Sequence, residues 1–418
     1  MNEHVLVVGT GRNHPSLLRG IRPGVCTTTI CQVEYVRNVR EPAGHLRIIA
    51  VRGDADDQEW IAMAKAVHAI HPFTRIATFG ERDQHRYAAI GEALGLKALS
   101  PATMTVIHDK EAMRARLRES GVDSAAYARV TELDELHAFV RNHGLPCVVK
   151  PVQSTGSAGV TKVTEESQLA TAFERAGGSY MGLVNTGVLV EEFHEGPQFS
   201  VEAFSDEGDH QVVGITRKYS DPVSLVELGH VSPAPLPTGE QAEIHAYVGQ
   251  LLDALGVRSG PTHTEVVLTS KGPRVIETHV RAGGDEIPAL TLDATGVDIA
   301  ECMVRHTIGE KVLPDIRATL SEPRPARASA IWFAAVDAPG ELEEITGVQE
   351  ARALPGVTEV SVSADPGDTV STLTSSDSRV AQVRAVAETA EEAVRAARAA
   401  VDVLGVRLRV RPLAGDVV

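Results

Sequence analysis

Two adjoining stretches, PTHTEVVLTSKG (261 to 272) and RVIETHVRAGGDE (274 to 286), constrain the fold of this chain more than any other feature. Side chains of a strand alternate between faces, so His263 and Glu265 share one side of the first run. On the second, Glu277, His279 and Arg281 share one face, while Ile276, Thr278 and Val280 take the other. A solvated outer face would account for a single charged strand. The Lys-Gly turn signal that ends the first run makes the two a hairpin, which brings Glu265 and Glu277 together. Adjacent carboxylates repel unless a cation lies between them, and hard oxygen ligands suit Mg²⁺.

The rest of the chain must supply what such a pair would serve. At 418 residues it divides into about three domains of ordinary size. A formal net charge of -16 argues against a general nucleic-acid binder, so a polyanionic ligand would need local lysines and metal. No run approaches a membrane span and the opening MNEHVLVVGTG does not read as a signal, so no membrane partner and a cytoplasmic location are expected. The four cysteines, Cys26, Cys31, Cys147 and Cys302, have neither metal spacing nor a disulfide framework and read as reduced thiols.

Residues 1–105 alternate apolar strands with amphipathic helices, the pattern of a small parallel sheet. The GTG at 9–11 is an incomplete dinucleotide fingerprint. A second unit, 106–320, opens with a helix over 109–122, with Asp109 as its cap. A strand at 146–151, a helix at 165–176 and runs at 187–208 and 210–220 follow, the last two expected to pair in an antiparallel sheet. A third unit, 321–418, follows the proline-rich SEPRPAR and ends with a helix starting near Thr389, an α+β cap.

Lys150 ends an apolar strand and precedes a loop containing Ser154, Thr155, Gly156, Ser157, Ala158 and Gly159. Small residues let backbone N–H groups approach phosphate oxygens, with the lysine behind them, although this is no Walker loop. Further on, Gln198, Ser200 and Glu202 share a strand face, and LVEEF before them is an extended connector suited to a planar ring edge.

Taken in order, FGERDQHRYAAIGEALGL, HDKEAMR, VVKPVQSTGSAGV, LVEEFHEGPQFSVEAF, VELGHVSPAPLP, THTEVVLT and IETHVRAGGDEIP resemble the ATP-grasp superfamily, and within it the carboxylate-amine ligases that include L-amino acid ligases. The match lies mainly within residues 105 to 312. It implies α/β and α+β architecture: the ATP-grasp fold, with an N-terminal parallel-sheet domain and a C-terminal α+β cap. It also implies ATP and Mg²⁺ (or Mn²⁺) as cofactors. Lys110 and Lys150 would meet the phosphates, with the loop at 154–159 over them. Glu191, Glu192 and Phe193 would form the adenine connector. Gln198 would meet the ribose, on a strand whose Glu202 is also assigned to the nucleotide. Glu265 and Glu277 become metal ligands, and Arg281 faces the transferred phosphoryl group or a substrate carboxylate.

Two departures accompany this resemblance. Gln198 stands where many relatives have Glu, and His279 where many have Asn, which makes its metal role doubtful. Lys218 is a further phosphate candidate, His230 and His263 candidates for substrate binding or proton transfer, and Gly283 and Gly284 candidates to offer N–H groups to a carboxylate. The implied activity is ATP-dependent amide or peptide bond formation between small amino-acid substrates through an acyl phosphate. A biotin carboxylase-like enzyme working through carboxyphosphate, or a non-catalytic nucleotide-binding regulator, are the alternatives. The N-terminal sheet unit is expected to be exposed, which makes a homodimer a candidate assembly.

Overall fold

A computed structural model describes residues 3–154, 156–178 and 185–409. Thr155, expected in the glycine-rich loop, lies outside the described residues.

Four parallel strands build the N-terminal sheet, in the order Arg47–Val51, Cys26–Gln32, His4–Val8, Arg75–Thr78. Its central strand, HVLVV, is buried throughout, as expected of a parallel strand covered on both faces. One face carries Leu6, Val8 and Ile30 onto Trp60 and Ile90 of its own crossover helices. The other carries Val5 and Val7 onto Cys302, Met303 and Val304 of the Ile299–Thr307 helix. Both faces are thus covered within the chain, and exposure of this sheet gives no reason for a homodimer.

Three antiparallel sheets make the remainder of the described residues: a three-stranded one near the C-terminus (Thr369–Val370, Gly340–Thr346, Gly405–Arg409) and two that frame the site. Of these two, the smaller runs Tyr127–Val130, Val188–Glu192, Cys147–Pro151, Thr161–Val163. The larger has eight strands, beginning Gly272–His279, Ser259–Thr269, Gln198–Asp206, Asp209–Ser220, Glu227–Ser232. The expected antiparallel pairing holds for Gln198–Asp206 with Asp209–Ser220, but the run at 187–208 is split: the chain crosses from the smaller to the larger sheet between Glu192 and Gln198. That crossing forms part of the wall of a slot between the two sheets. Between the N-terminal unit and the smaller sheet runs the Lys110–Glu119 helix, capped by Asp109, whose side chain accepts from the Ala112 N–H at 3.0 Å.

The larger sheet continues without a break into the C-terminal residues through Ala328–Ala334, Ala381–Ala387 and Val357–Val362. The boundary expected near 320 divides the chain but not the sheet. At the seam, Gly229 sits opposite Trp332, and a Cβ there would overlap the indole and the Ile331 carbonyl. Gly229→Ala should therefore lower stability by about 2 kcal/mol through overpacking, read as a reduced urea midpoint. Gly239→Ala, in the open exterior of the Thr238–Ala254 helix, should be neutral or stabilising in the same measurement. Equal midpoints for Gly229→Ala and the unaltered protein would contradict the close contact.

Candidate active site

Glu265 and Glu277 face one another as register partners of the hairpin, beside the pair His263 and His279. Each carboxylate has a cation of its own. Lys218, from the Asp209–Ser220 strand, approaches Glu265 at 2.5 Å and Glu227 at 2.9 Å. Lys110 lies 3.3 Å from Glu277, and His279 Nε2 lies 3.1 Å from it on another side. Burial works against charge on both acids, but the cations outweigh it: Lys218 and His263 hold Glu265 at about 2, and Lys110 and His279 hold Glu277 well below the usual carboxylate range. The protein keeps two carboxylates ionised on one rung of a ladder.

Just past this rung the hairpin carries a β-bulge: Glu277 pairs with Glu265 and Val275 with Val266, leaving Ile276 unpaired. The bulge changes the phase of the strand. Ile276, expected on the face opposite Glu277, instead lines the slot with it, while Val275 enters the core. Arg114 anchors this distortion, donating at 2.9 Å to the carbonyls of both Val275 and Ile276.

The same guanidinium binds Glu191 through Nε at 2.8 Å and Nη2 at 3.0 Å, and Lys150 meets Glu191 at 2.6 Å. Burial opposes the charge of Glu191, yet Arg114 and Lys150 bring it down to about 2. Glu191, Glu192 and Phe193, expected as an adenine connector acting chiefly through backbone groups, all line the slot. The Glu191 carboxylate turns inward as a cross-link, and the N–H groups of Glu192 and Phe193 already donate to the carbonyls of Ala126 and Pro146. Phe193 still lines the slot, its ring under the Lys162 ammonium at 3.9 Å.

Other residues singled out in the sequence act through neighbours. Glu202, placed with the nucleotide by the resemblance, is instead fully buried and holds His263 Nδ1 at 2.5 Å and the Gly283 N–H at 3.0 Å. Gly283 therefore has no N–H to offer a carboxylate, and a side chain there would collide with His263 and Glu202. His263 reaches Glu265 at 3.4 Å with its other nitrogen. Burial lowers its affinity for a proton, but Glu202 and Glu265 outweigh this and raise it, so His263 holds Glu265 in place. His230 is buried against Asp285 at 3.2 Å. Gly284 borders open space. Gln198 lines the slot, its Oε1 accepting from Ser220 at 3.5 Å.

His279, the doubtful metal ligand, has both nitrogens engaged by carboxylates: Nε2 by Glu277 and Nδ1 by Glu81, each at 3.1 Å. Against burial, Glu81 and Glu277 raise it to about 9. With both nitrogens taken up by carboxylates, His279 stands here as a partner to Glu81 and Glu277. Arg281 likewise pairs with Glu81, at 2.7 Å. Sequence reasoning did not single out Glu81, Arg114, Glu227, Asp285 or Arg379. Only Glu81 carried a signal, because it follows the end of a parallel strand, where α/β sheets place ligands.

The slot has aliphatic walls, including Val148, Val160, Leu225, Val267 and Ile276, and ends at Lys110, Lys150, Glu265 and Glu277. It shares Lys110, Ser154 and Glu277 with a second cavity of about 670 Å³ that reaches Glu81, His108 and His279. Residues 143–289, which contain most of this constellation, match the family model described as an ATP-grasp domain. The chain belongs to the ATP-grasp superfamily. Within that superfamily it is L-amino acid ligase-like, and residues 332–409 match L-amino acid ligase C-terminal domain 2.

An uncharacterised protein of Sinorhizobium fredii is 32% identical over 289 residues, covering 68% of this chain and 58% of that protein. The alanine–anticapsin ligase of Bacillus subtilis is 26% identical over 235 residues, 51% of this chain and 49% of the ligase. The chain thus spans about half the length of the curated relatives it matches. The L-amino acid ligase structure from Bacillus licheniformis shares the fold, with a TM-score of 0.82 at 22% identity over 98% of this chain and 99% of that one. An ATP-grasp domain implies dependence on ATP and Mg²⁺. No helix among the described residues is long and apolar enough to cross a membrane.

In this ATP-grasp chain the Glu191 cross-link should be visible in stability. Its folded pKa of about 2 lies below the ordinary 4.5, so its contribution is complete above pH 4.5 and is lost as pH falls through about 2. Glu191→Gln, which leaves two buried cations uncompensated, should cost about 3 kcal/mol at neutral pH. It should also flatten the acid limb of a urea-unfolding series. An unchanged acid limb would show that Glu191 is not held as described.

Proposed function

We propose that this protein is an ATP-dependent carboxylate–amine ligase that joins small amino-acid substrates through an acyl phosphate, releasing ADP and phosphate. One observation carries the reading: an apolar slot ends in two lysines and two opposed carboxylates, and there shares Lys110, Ser154 and Glu277 with a second, larger cavity. A nucleotide has the matching form, a flat ring followed by a polyanion.

The donor set fits magnesium. Among the described residues no group of three or more His, Cys, Asp or Glu side chains could hold an ion, but Mg²⁺ is commonly bound by one or two carboxylates together with substrate phosphates. Glu265 and Glu277 would hold it, and it would supply charge neutralisation at the phosphate oxygens. Lys218 and His263 keep Glu265 ionised and oriented, while Lys110 and Lys150 stand at the phosphate end.

A carboxylate resists nucleophilic attack until its oxygen becomes part of a better leaving group. In the proposed reaction a carboxylate oxygen attacks the terminal phosphorus and ADP leaves; the amine nitrogen then attacks the acyl carbon and phosphate leaves. The protein's contribution is positioning and charge neutralisation, so no serine or cysteine nucleophile is required. Glu81, which lines the second cavity, suits an ammonium group, and Arg281, paired with Glu81, suits a carboxylate, which together favour amino acids. The match of residues 332–409 to an L-amino acid ligase domain favours amide formation over carboxyphosphate chemistry.

Amino acids supplied singly and in pairs should give ADP release that depends on a pair, with a product mass equal to the two less one water. Release stimulated by bicarbonate instead would support the carboxyphosphate reaction. Glu277→Ala should reduce turnover by at least ~10³-fold with an unaltered circular dichroism spectrum, and turnover near that of the unaltered protein would refute its assignment.

A further inference from the structure

The C-terminal residues touch the site at one short turn, Ser376–Ser378, and the arginine that follows it. The Ser376 N–H donates to the Gly156 carbonyl of the glycine-rich loop at 3.2 Å, and Ser376 Oγ donates to Glu227 at 3.4 Å. Arg379 grips both oxygens of Asp285, at 2.8 and 2.7 Å, while its Nε donates to the Ser376 carbonyl at 2.8 Å. Its guanidinium lies over Phe333, 3.8 Å from the ring centre.

Asp285 and Glu286 both occupy the left-handed region, with φ of 50° and 59°. Without glycine's freedom such residues persist where their surroundings over-determine them. The arginine fork, with His230 on the same carboxylate, is what does so here. Arg281 lies four residues upstream and Gly283 two, so the direction of the whole substrate-side loop follows from where Asp285 is held.

Building on the ligase reading, we propose that Arg379 is a positioning residue. It sets the 281–286 loop through Asp285, while Ser376 on the same turn sets the glycine-rich loop at Gly156. The nucleotide side and the substrate side of the cleft then share one anchor, contributed by the C-terminal region.

Hydrogen–deuterium exchange on the full chain tests this without any amino-acid substrate. Arg379→Gln should speed exchange across 281–287 about tenfold, leave the N-terminal sheet unchanged, and be partly restored by Arg379→Lys, which keeps the charge but loses the fork. Exchange across 281–287 within about twofold of the unaltered protein would overturn the proposal. Should Arg379→Gln fail to fold, Arg379→Lys carries the same comparison, and uniform loosening of the whole C-terminal region would overturn it.

Ser376→Pro removes the N–H at the first position of the turn, behind a Ser375 already extended at φ −160° and ψ 172°. It should weaken binding of Mg²⁺ with a non-hydrolysable ATP analogue about tenfold in calorimetry. In turnover with the pair that releases ADP, Arg379→Gln should raise KM for the amino acid about tenfold and leave KM for ATP within twofold; Ser376→Pro should do the reverse. A parallel change in both constants in both variants would overturn the division. If the unaltered protein showed no binding of the analogue, the nucleotide reading would fail, while the exchange comparison of Arg379 would still decide the anchor.

Discussion

Two carboxylates opposed on one rung of an antiparallel ladder set the terms for everything around them. Like charges directly across a strand pair destabilise it, and burial adds to the cost of keeping them ionised. The protein answers with Lys218 on one acid, Lys110 and His279 on the other, and His263 to fix the geometry. Those cations come from four separate elements, so forming the pair brings the central sheet, the hairpin and the Lys110–Glu119 helix to one point. A site that concentrates charge of both signs in a buried place is suited to a ligand that carries its own strong charge.

Around this pair, a second network sets the width of the slot. Arg114 joins Glu191 of the smaller sheet to the carbonyls of Val275 and Ile276 in the larger one, and Lys150 closes the group. Because the guanidinium is planar and its donors are divided between the two sheets, they meet at a defined spacing rather than sliding past each other. The bulge at Ile276 then turns an aliphatic side chain into the slot beside a charged one. One arginine and one extra residue thus set an aliphatic wall at Ile276 directly beside the charged end.

The local features were legible in the sequence. Alternation at period two marked the hairpin and placed Glu265 beside Glu277, and Asp109 marked the start of its helix. The order of seven segments was enough to point to the superfamily. What escaped were contacts between distant residues: Arg114 with Glu191 is 77 positions apart, Arg379 with Asp285 94, and Arg281 with Glu81 200. No periodicity reports such pairs. The bulge escaped for another reason, since an isoleucine fits either face of a strand and carries no mark of a phase change. Gly283 was read as a donor to substrate because glycine exposes its backbone, yet it is small so that Glu202 and His263 can approach.

The most direct measurement is a crystal structure of the protein with Mn²⁺ and a non-hydrolysable ATP analogue, using anomalous scattering to locate the metal. The account predicts a manganese peak shared by Glu265, Glu277 and the analogue's phosphate oxygens, with the adenine between the two sheets. An analogue bound elsewhere, or a metal peak away from both carboxylates, would contradict it.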